Sequence, residues 1–220
     1  MNGLINVNGD SVQALEIIFF TTLIALLPSL VVMTTSFTRY IVSISFLRNA
    51  MGIQQTPPNM VLVGIALFLT LFTMGPTFEA ISEEAWTPYL NEEITQEEFF
   101  ERAQTPLKDF MLRQTEPSSL ELYCNMSDTQ LPQTDEEALS LPIRIVTPAF
   151  MTSELKKAFQ IGFYLYIPFL LIDIVVSSTL MSMGMIMLPP SMISTPFKLL
   201  LFISLDGWNL IFSTLVQGFQ

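Results

Sequence analysis

Apolar positions along the chain gather into four segments: Ile17 to Met33 running on to Phe46, Met60 to Met74, Ile161 to Met187, and Phe197 to Phe212. A helix that crosses the hydrocarbon of a bilayer needs roughly 20 residues, with about 17 acceptable. The first and third segments meet that length, and the second and fourth fall at its margin. Pro28 and Pro168 lie inside the two long segments, where each removes a backbone donor and is expected to kink the helix. The predicted elements are four hydrophobic helices, two of them bent.

Between the second and third segments the pattern turns polar. From Glu79 to Phe150 there are 15 acidic residues against Arg102, Lys108, Arg113 and Arg144. The chain therefore divides into residues 1–78, hydrophobic helices with a connector; 79–150, an acidic, water-exposed helical module; and 151–220, a second hydrophobic hairpin. In the module Thr95 is followed three residues on by Glu98, with Ile94 and Phe99 placed as a hydrophobic staple, which predicts a helix from about Gln96. Pro106 is expected to open a second helix whose Leu107, Phe110 and Met111 share one face, packed in the module core rather than forming a partner groove. Glu116 to Pro142, rich in Pro, Ser, Thr, Asp and Gln, reads as a loop. The connector "LRNAMGIQQTPPN" reads as stiff, with Pro58 suited to a first helical turn.

Composition narrows the chemistry. The chain of 220 residues is 50% hydrophobic and 13% charged, with 18 Phe and 13 Met, a balance suited to membrane association. It has no histidine and a single cysteine, Cys124, which removes a disulfide, a Cys/His zinc site and imidazole catalysis. No catalytic, cofactor or metal site is expected. A formal charge of -11 without a basic stripe argues against nucleic acid. The first apolar run lacks a basic flank and an A-x-A cleavage site, so it reads as retained. Arg39 and Arg48 near one connection and Lys198 near another place both connections on the cytoplasmic side and the acidic module outside.

Three ionisable residues interrupt apolar runs: Asp173, Lys198 and Asp206. Such groups are costly enough to mark candidate sites. Counted from a turn at Met187 to Pro196, Asp173 and Lys198 fall at different depths, so a pair between them is expected across neighbouring subunits or a bend; the alternative is that Lys198 snorkels to the headgroups. Asp173 could instead titrate in a transporter. Asp206 is expected to hydrogen-bond near Gly207 and Trp208. In "LMSMGMIMLPP" methionines alternate, so Met181 and Met185 share one helical face and Met183 and Met187 the other. Gly184 and Pro189 predict that this run frays into a loop. Its compliant thioethers could either fill helix gaps or close a pore by dewetting.

"SFTRYIVSISFLRNAMGIQQTPPNMVLVGIALFLTLF", "PLKDFMLRQT", "TSELKKAFQIGFYLYIPFLLIDIVVSS" and "LMSMGMIMLPPSMISTPFKLLLFISLDGWNL" resemble the FliP family, P subunits of the flagellar type III export gate, with similar relatives in virulence type III secretion. "FMLRQT" tilts the resemblance to the flagellar branch. The resemblance implies an all-α fold of bent hydrophobic hairpins, held largely on the periplasmic side of the bacterial inner membrane in the flagellar basal body. It implies self-association as a pentamer, joined by FliQ and FliR subunits and FlhB and FlhA components into a helical ring that passes unfolded flagellar proteins. It maps a methionine gasket onto Met185, Ile186 and Met187, with Met183 able to compensate for the stiffer, β-branched Ile186. It also implies that Asp173 and Lys198 pair between neighbouring subunits.

Overall fold

The computed structural model describes residues 4–7, 10–53, 55–185 and 187–219. A small antiparallel hairpin comes first, β1 (Leu4–Val7) against β2 (Asp10–Gln13), with Ile5 opposite Val12. Its four-residue strands are too short to have been visible as a strand pattern within the polar N-terminus. Among the described residues every later element is a helix.

The first apolar segment forms α1 (Ala14–Thr34) and α2 (Phe37–Ala50), and the stretch of α1 after Pro28 meets α2 at 83°. The 83° bend falls at Thr35 and Ser36, between the two helices, and Pro28 lies inside α1. Its cause is a hydroxyl-rich break. Thr34 Oγ1 donates to Leu30 O at 2.8 Å, Thr35 Oγ1 to Val31 O at 2.6 Å and Thr38 Oγ1 to Val32 O at 2.8 Å. The Thr35 and Thr38 bonds serve Val31 and Val32, carbonyls whose i+4 amides lie beyond the end of α1, so the backbone can turn without orphaning them.

The second segment is α3 (Asn59–Thr73), with Pro58 as its N-cap rather than within its first turn. It bends by 60° at Met74 into α4 (Gly75–Ile81), a π-helical turn over Ser82–Trp86 and the short α5 (Thr87–Leu90). Helix α6 (Gln96–Gln114) starts where expected. Thr95 Oγ1 accepts from the Glu98 amide while Glu98 accepts from the Thr95 amide at 2.8 Å, a complete capping box. Helix α6 then continues through Pro106 instead of restarting there. The expected loop also contains helices, α7 (Pro117–Met126) and α8 (Asp135–Ser140). Pro117 at the first turn of α7 was the available start signal, and Thr134 caps α8 through the Glu137 amide.

Helix α9 (Ile143–Ser182) runs 40 residues, about 60 Å at 1.5 Å per residue. Pro148 and Pro168 both sit inside it, so the expected kink at Pro168 does not interrupt the helix. The boundary drawn at residue 150 falls within α9. Its N-terminal part supplies Ile145, Val146 and Phe150 to the module core, where they pack with Met111, Cys124, Leu107 and Phe110. Its later turns pack along α2, closely enough that a Cβ at Gly162 would come within 2.5 Å of the Phe46 ring.

The fourth segment is split into α10 (Pro190–Ser204) and α11 (Gly207–Gln217), 65° apart. Asp206 makes the corner in the left-handed region at φ 49°, and Gly207 leaves room for the Phe202 ring, which a Cβ would meet at 2.3 Å. The main core joins Tyr40, Ile44 and Leu47 of α2 to Leu62 and Ala66 of α3, Phe169 of α9, Phe202 of α10, and Ile211 and Leu215 of α11. Among the described residues α9 alone is long and apolar enough to cross a membrane; four spans result only if each bent pair counts as one.

Candidate functional site

The hairpin of α9 and α10 carries the residues that the sequence singled out. Helix α9 ends at Ser182 and Gly184 adopts φ 76°. The Gly184 amide donates to Met181 O and the Met185 amide to Leu180 O, both at 3.0 Å. This pair of bonds around a left-handed residue is a Schellman cap, which closes the helix and reverses the chain. The methionine run does fray into a loop, and the loop is the tip of the hairpin. Pro189 as N-cap and Pro190 at the first turn then start α10 with φ already suited to a helix.

Met181, Met183, Met185 and Met187 are all exposed, Met187 by 98%. In the single chain they fill no gap between helices. The candidate at Ile186 lies outside the described residues. Behind the tip, Leu171, Val175, Thr179, Met183, Ile193 and Phe197 line an apolar cavity of about 560 Å³ between α9 and α10.

Deeper in the hairpin Lys198 Nζ donates to Asp173 Oδ2 at 2.6 Å and to Ala50 O at 3.0 Å, and Ser194 Oγ donates to Asp173 Oδ1 at 2.7 Å. Of the two arrangements expected, a pair between neighbouring subunits or one across a bend, the single chain makes the second: the bridge forms across the turn of the hairpin. The reason is where the turn lies. Asp173 is 182 − 173 = 9 residues before the end of α9, and Lys198 is 198 − 190 = 8 residues after the start of α10. The two side chains therefore face each other at equal depth. Lys198 is only 5% exposed, so it does not snorkel. Its bond to Ala50 O also places a cation at the C-terminus of α2, where the helix dipole and an orphan carbonyl both favour one. Asp206 is exposed and accepts from Asn209 Nδ2 at 2.7 Å, a local contact in keeping with a structural role at the α10–α11 corner.

The largest polar site was not expected. Arg39, read as a charge near a membrane end, is 2% exposed and buried against Glu154, which is fully buried. Arg39 Nε donates to Glu154 Oε2 at 2.8 Å and Nη2 donates to Oε1, the side-on fork that matches a carboxylate best. Nη1 donates to Gly218 O at 2.8 Å, Nη2 also to Gln114 Oε1 at 3.0 Å, and the guanidinium lies 3.6 Å over the Phe219 ring. Gln114 Nε2 donates to Phe219 O at 3.2 Å. One arginine thus ties α2, α6 and α9 to the segment after α11. Its sequence signal was its place on the α2 face that carries Tyr40, Ser43 and Leu47, all buried.

Arg48 braces the connector instead of standing free, donating from Nη1 to Asn59 Oδ1 at 2.6 Å. Among the described residues no cluster of three or more Cys, Asp or Glu is arranged to hold a metal ion.

The chain matches the family model described as "FliP family" over residues 20–215. It is 48% identical over 213 residues to the flagellar biosynthetic protein FliP of Aquifex aeolicus, covering 96% of this chain and 88% of that protein. Identity to the protein of the same name from Caulobacter vibrioides is 49% over 212 residues, covering 96% and 79%. The Bacillus subtilis protein of that name is 44% identical over 224 residues, with both chains covered completely.

Proposed function

The chain belongs to the FliP family, and from that membership we propose that it is a pore-forming subunit of the bacterial flagellar type III export gate. In this reading several copies, arranged as a pentamer, join FliQ- and FliR-type subunits in the inner membrane at the flagellar basal body. Unfolded flagellar proteins pass through the ring, FlhA- and FlhB-type components act beside it, and the acidic module faces the periplasm. The subunit contributes shape and a seal and no catalysis.

The observation that carries this reading is the hairpin tip. A Schellman cap and two prolines fix the backbone of the turn on either side, while the side chains they present outward are unbranched thioethers with little preference for one packing. Rigid placement of compliant groups suits a seal that must close around nothing and open around a passing chain. Replacing Met185 and Met187 together with alanine is expected to raise small-ion leak through the assembled gate and leave the amount of assembled ring unchanged on native gels. A leak equal to that of the parent protein would remove the gasket from the proposal.

A further inference from the structure

The tip of the acidic module holds a feature that the export-gate reading does not use. Helix α4, the π-helical turn and α5 run out from the body, and α6 returns along them. At the turn, the Phe99 ring contacts three others: Trp86 with centroids 6.0 Å apart, Tyr89 at 5.1 Å and Phe100 at 5.4 Å. The outer members of this cluster face solvent, with Trp86 50%, Phe100 56% and the adjoining Leu90 62% exposed. Within the π-helical turn Ala85 is fully buried while the next residue, Trp86, stands outward. Contiguous exposed aromatics on an otherwise charged module mark an interaction surface, because such rings anchor interfaces well beyond their share of the area.

The rim identifies the partner. Between Gly75 and Glu101 there are eight glutamates and no lysine or arginine. Glu98 is engaged in its capping box; Glu83, Glu84, Glu92, Glu93, Glu97 and Glu101 are exposed around the rings. Such a rim repels an anionic bilayer surface and attracts cations, and guanidinium groups stack on aromatic faces. We propose that this tip, Trp86, Tyr89, Leu90 and Phe100 within a glutamate rim, is a docking surface for a cationic polypeptide segment carrying arginine and an apolar anchor.

The test uses the full chain in nanodiscs of zwitterionic lipid, with empty nanodiscs as the blank, and two labelled peptides of equal length that alternate leucine with arginine or leucine with glutamate. Anisotropy is expected to show saturable binding of the arginine peptide alone, weakening as salt is raised. The double change Trp86→Ser with Phe100→Ser is expected to weaken it about tenfold or more, with the thermal melt unchanged. Glu97→Gln with Glu101→Gln, which leaves the rings in place, is expected to weaken it several-fold and flatten the salt dependence. Equal binding of both peptides, or full affinity in either double variant, would overturn the proposal. So would loss of self-association in the Trp86 and Phe100 variant without peptide, which would assign the surface to a second copy.

Discussion

At the scale of single residues, burial decides which charge matters. Arg39 and Glu154 are both removed from water, so deleting one leaves the other uncompensated, at a cost of about 3–5 kcal/mol. Arg39→Ala is therefore expected to lower the melting temperature steeply, whereas Arg39→Met with Glu154→Leu, which removes both charges and keeps the volume, is expected to recover most of the loss. A double variant no more stable than Arg39→Ala would show that the contacts to Gln114 and Gly218 matter more than the ion pair. The Asp173–Lys198 bridge is asymmetric: the lysine side chain is 6% exposed and the carboxylate 32%. Asp173→Asn strands a buried ammonium and is expected to destabilise more than Lys198→Met, which leaves a carboxylate that water and Ser194 still solvate. Exchanging the two residues restores only part of the loss, because a carboxylate at position 198 would face Ala50 O. The chemical types at these positions were legible in the sequence, and so was the pairing of Asp173 with Lys198, but the partner of Arg39 was not. Glu154 lies 115 residues from Arg39, and no local pattern distinguishes an arginine at a helix end from one turned toward a distant carboxylate.

At the scale of elements, what is local was readable and what is supplied by a neighbour was not. The capping box of α6 needs only Thr95 and Glu98 three residues apart, and the loop after α9 needs only Gly184 and the prolines. Helix α7 was missed because its apolar residues are few and become a face only against α9, where Cys124 is fully buried and Leu120 and Tyr123 pack against the same core. The turn between α9 and α10 begins at Met183, several residues before the position inferred from the prolines, and that shift brings Asp173 and Lys198 to the same depth. Two element-level changes follow. Gly162→Ala places a methyl against the base of the Phe46 side chain, which cannot swing away, and is expected to cost about 1–3 kcal/mol in a thermal or denaturant melt. In the capping box, hydrogen bonds from the Thr95 amide and hydroxyl hold the Glu98 carboxyl below its ordinary value. A lowered carboxyl stabilises the fold above the unfolded value of about 4.3 and loses that contribution as pH falls through the folded value. The stability difference between the parent protein and Glu98→Ala is accordingly expected near neutral pH and to shrink below about pH 4; a difference that stays constant in acid would assign it to helix propensity instead.

At the scale of the whole molecule, α9 makes one body of what composition divides into parts. Its first turns complete the module core around Met111 and Cys124, and its later turns complete the hydrophobic core with Phe169. Arg39 then fastens the two cores together, because its partners belong to the module's α6, the shared α9 and the residues after α11. The division at residues 79 and 150 follows water exposure, which composition records, and not mechanical coupling, which depends on a helix that crosses the boundary. Coupling of this kind predicts a single unfolding transition. In a Trp86→Phe background, Trp208 fluorescence reports the hydrophobic core, since its ring packs on Phe202, while the labelling rate of the buried Cys124 thiol reports the module. The two probes are expected to give coincident midpoints in the parent protein and to separate in Gln114→Ala with Arg39→Met, the module opening first because it has the smaller core. Separate midpoints in the parent would mean that α9 joins two independent units, and that the buried arginine holds its own site without transmitting order from one core to the other.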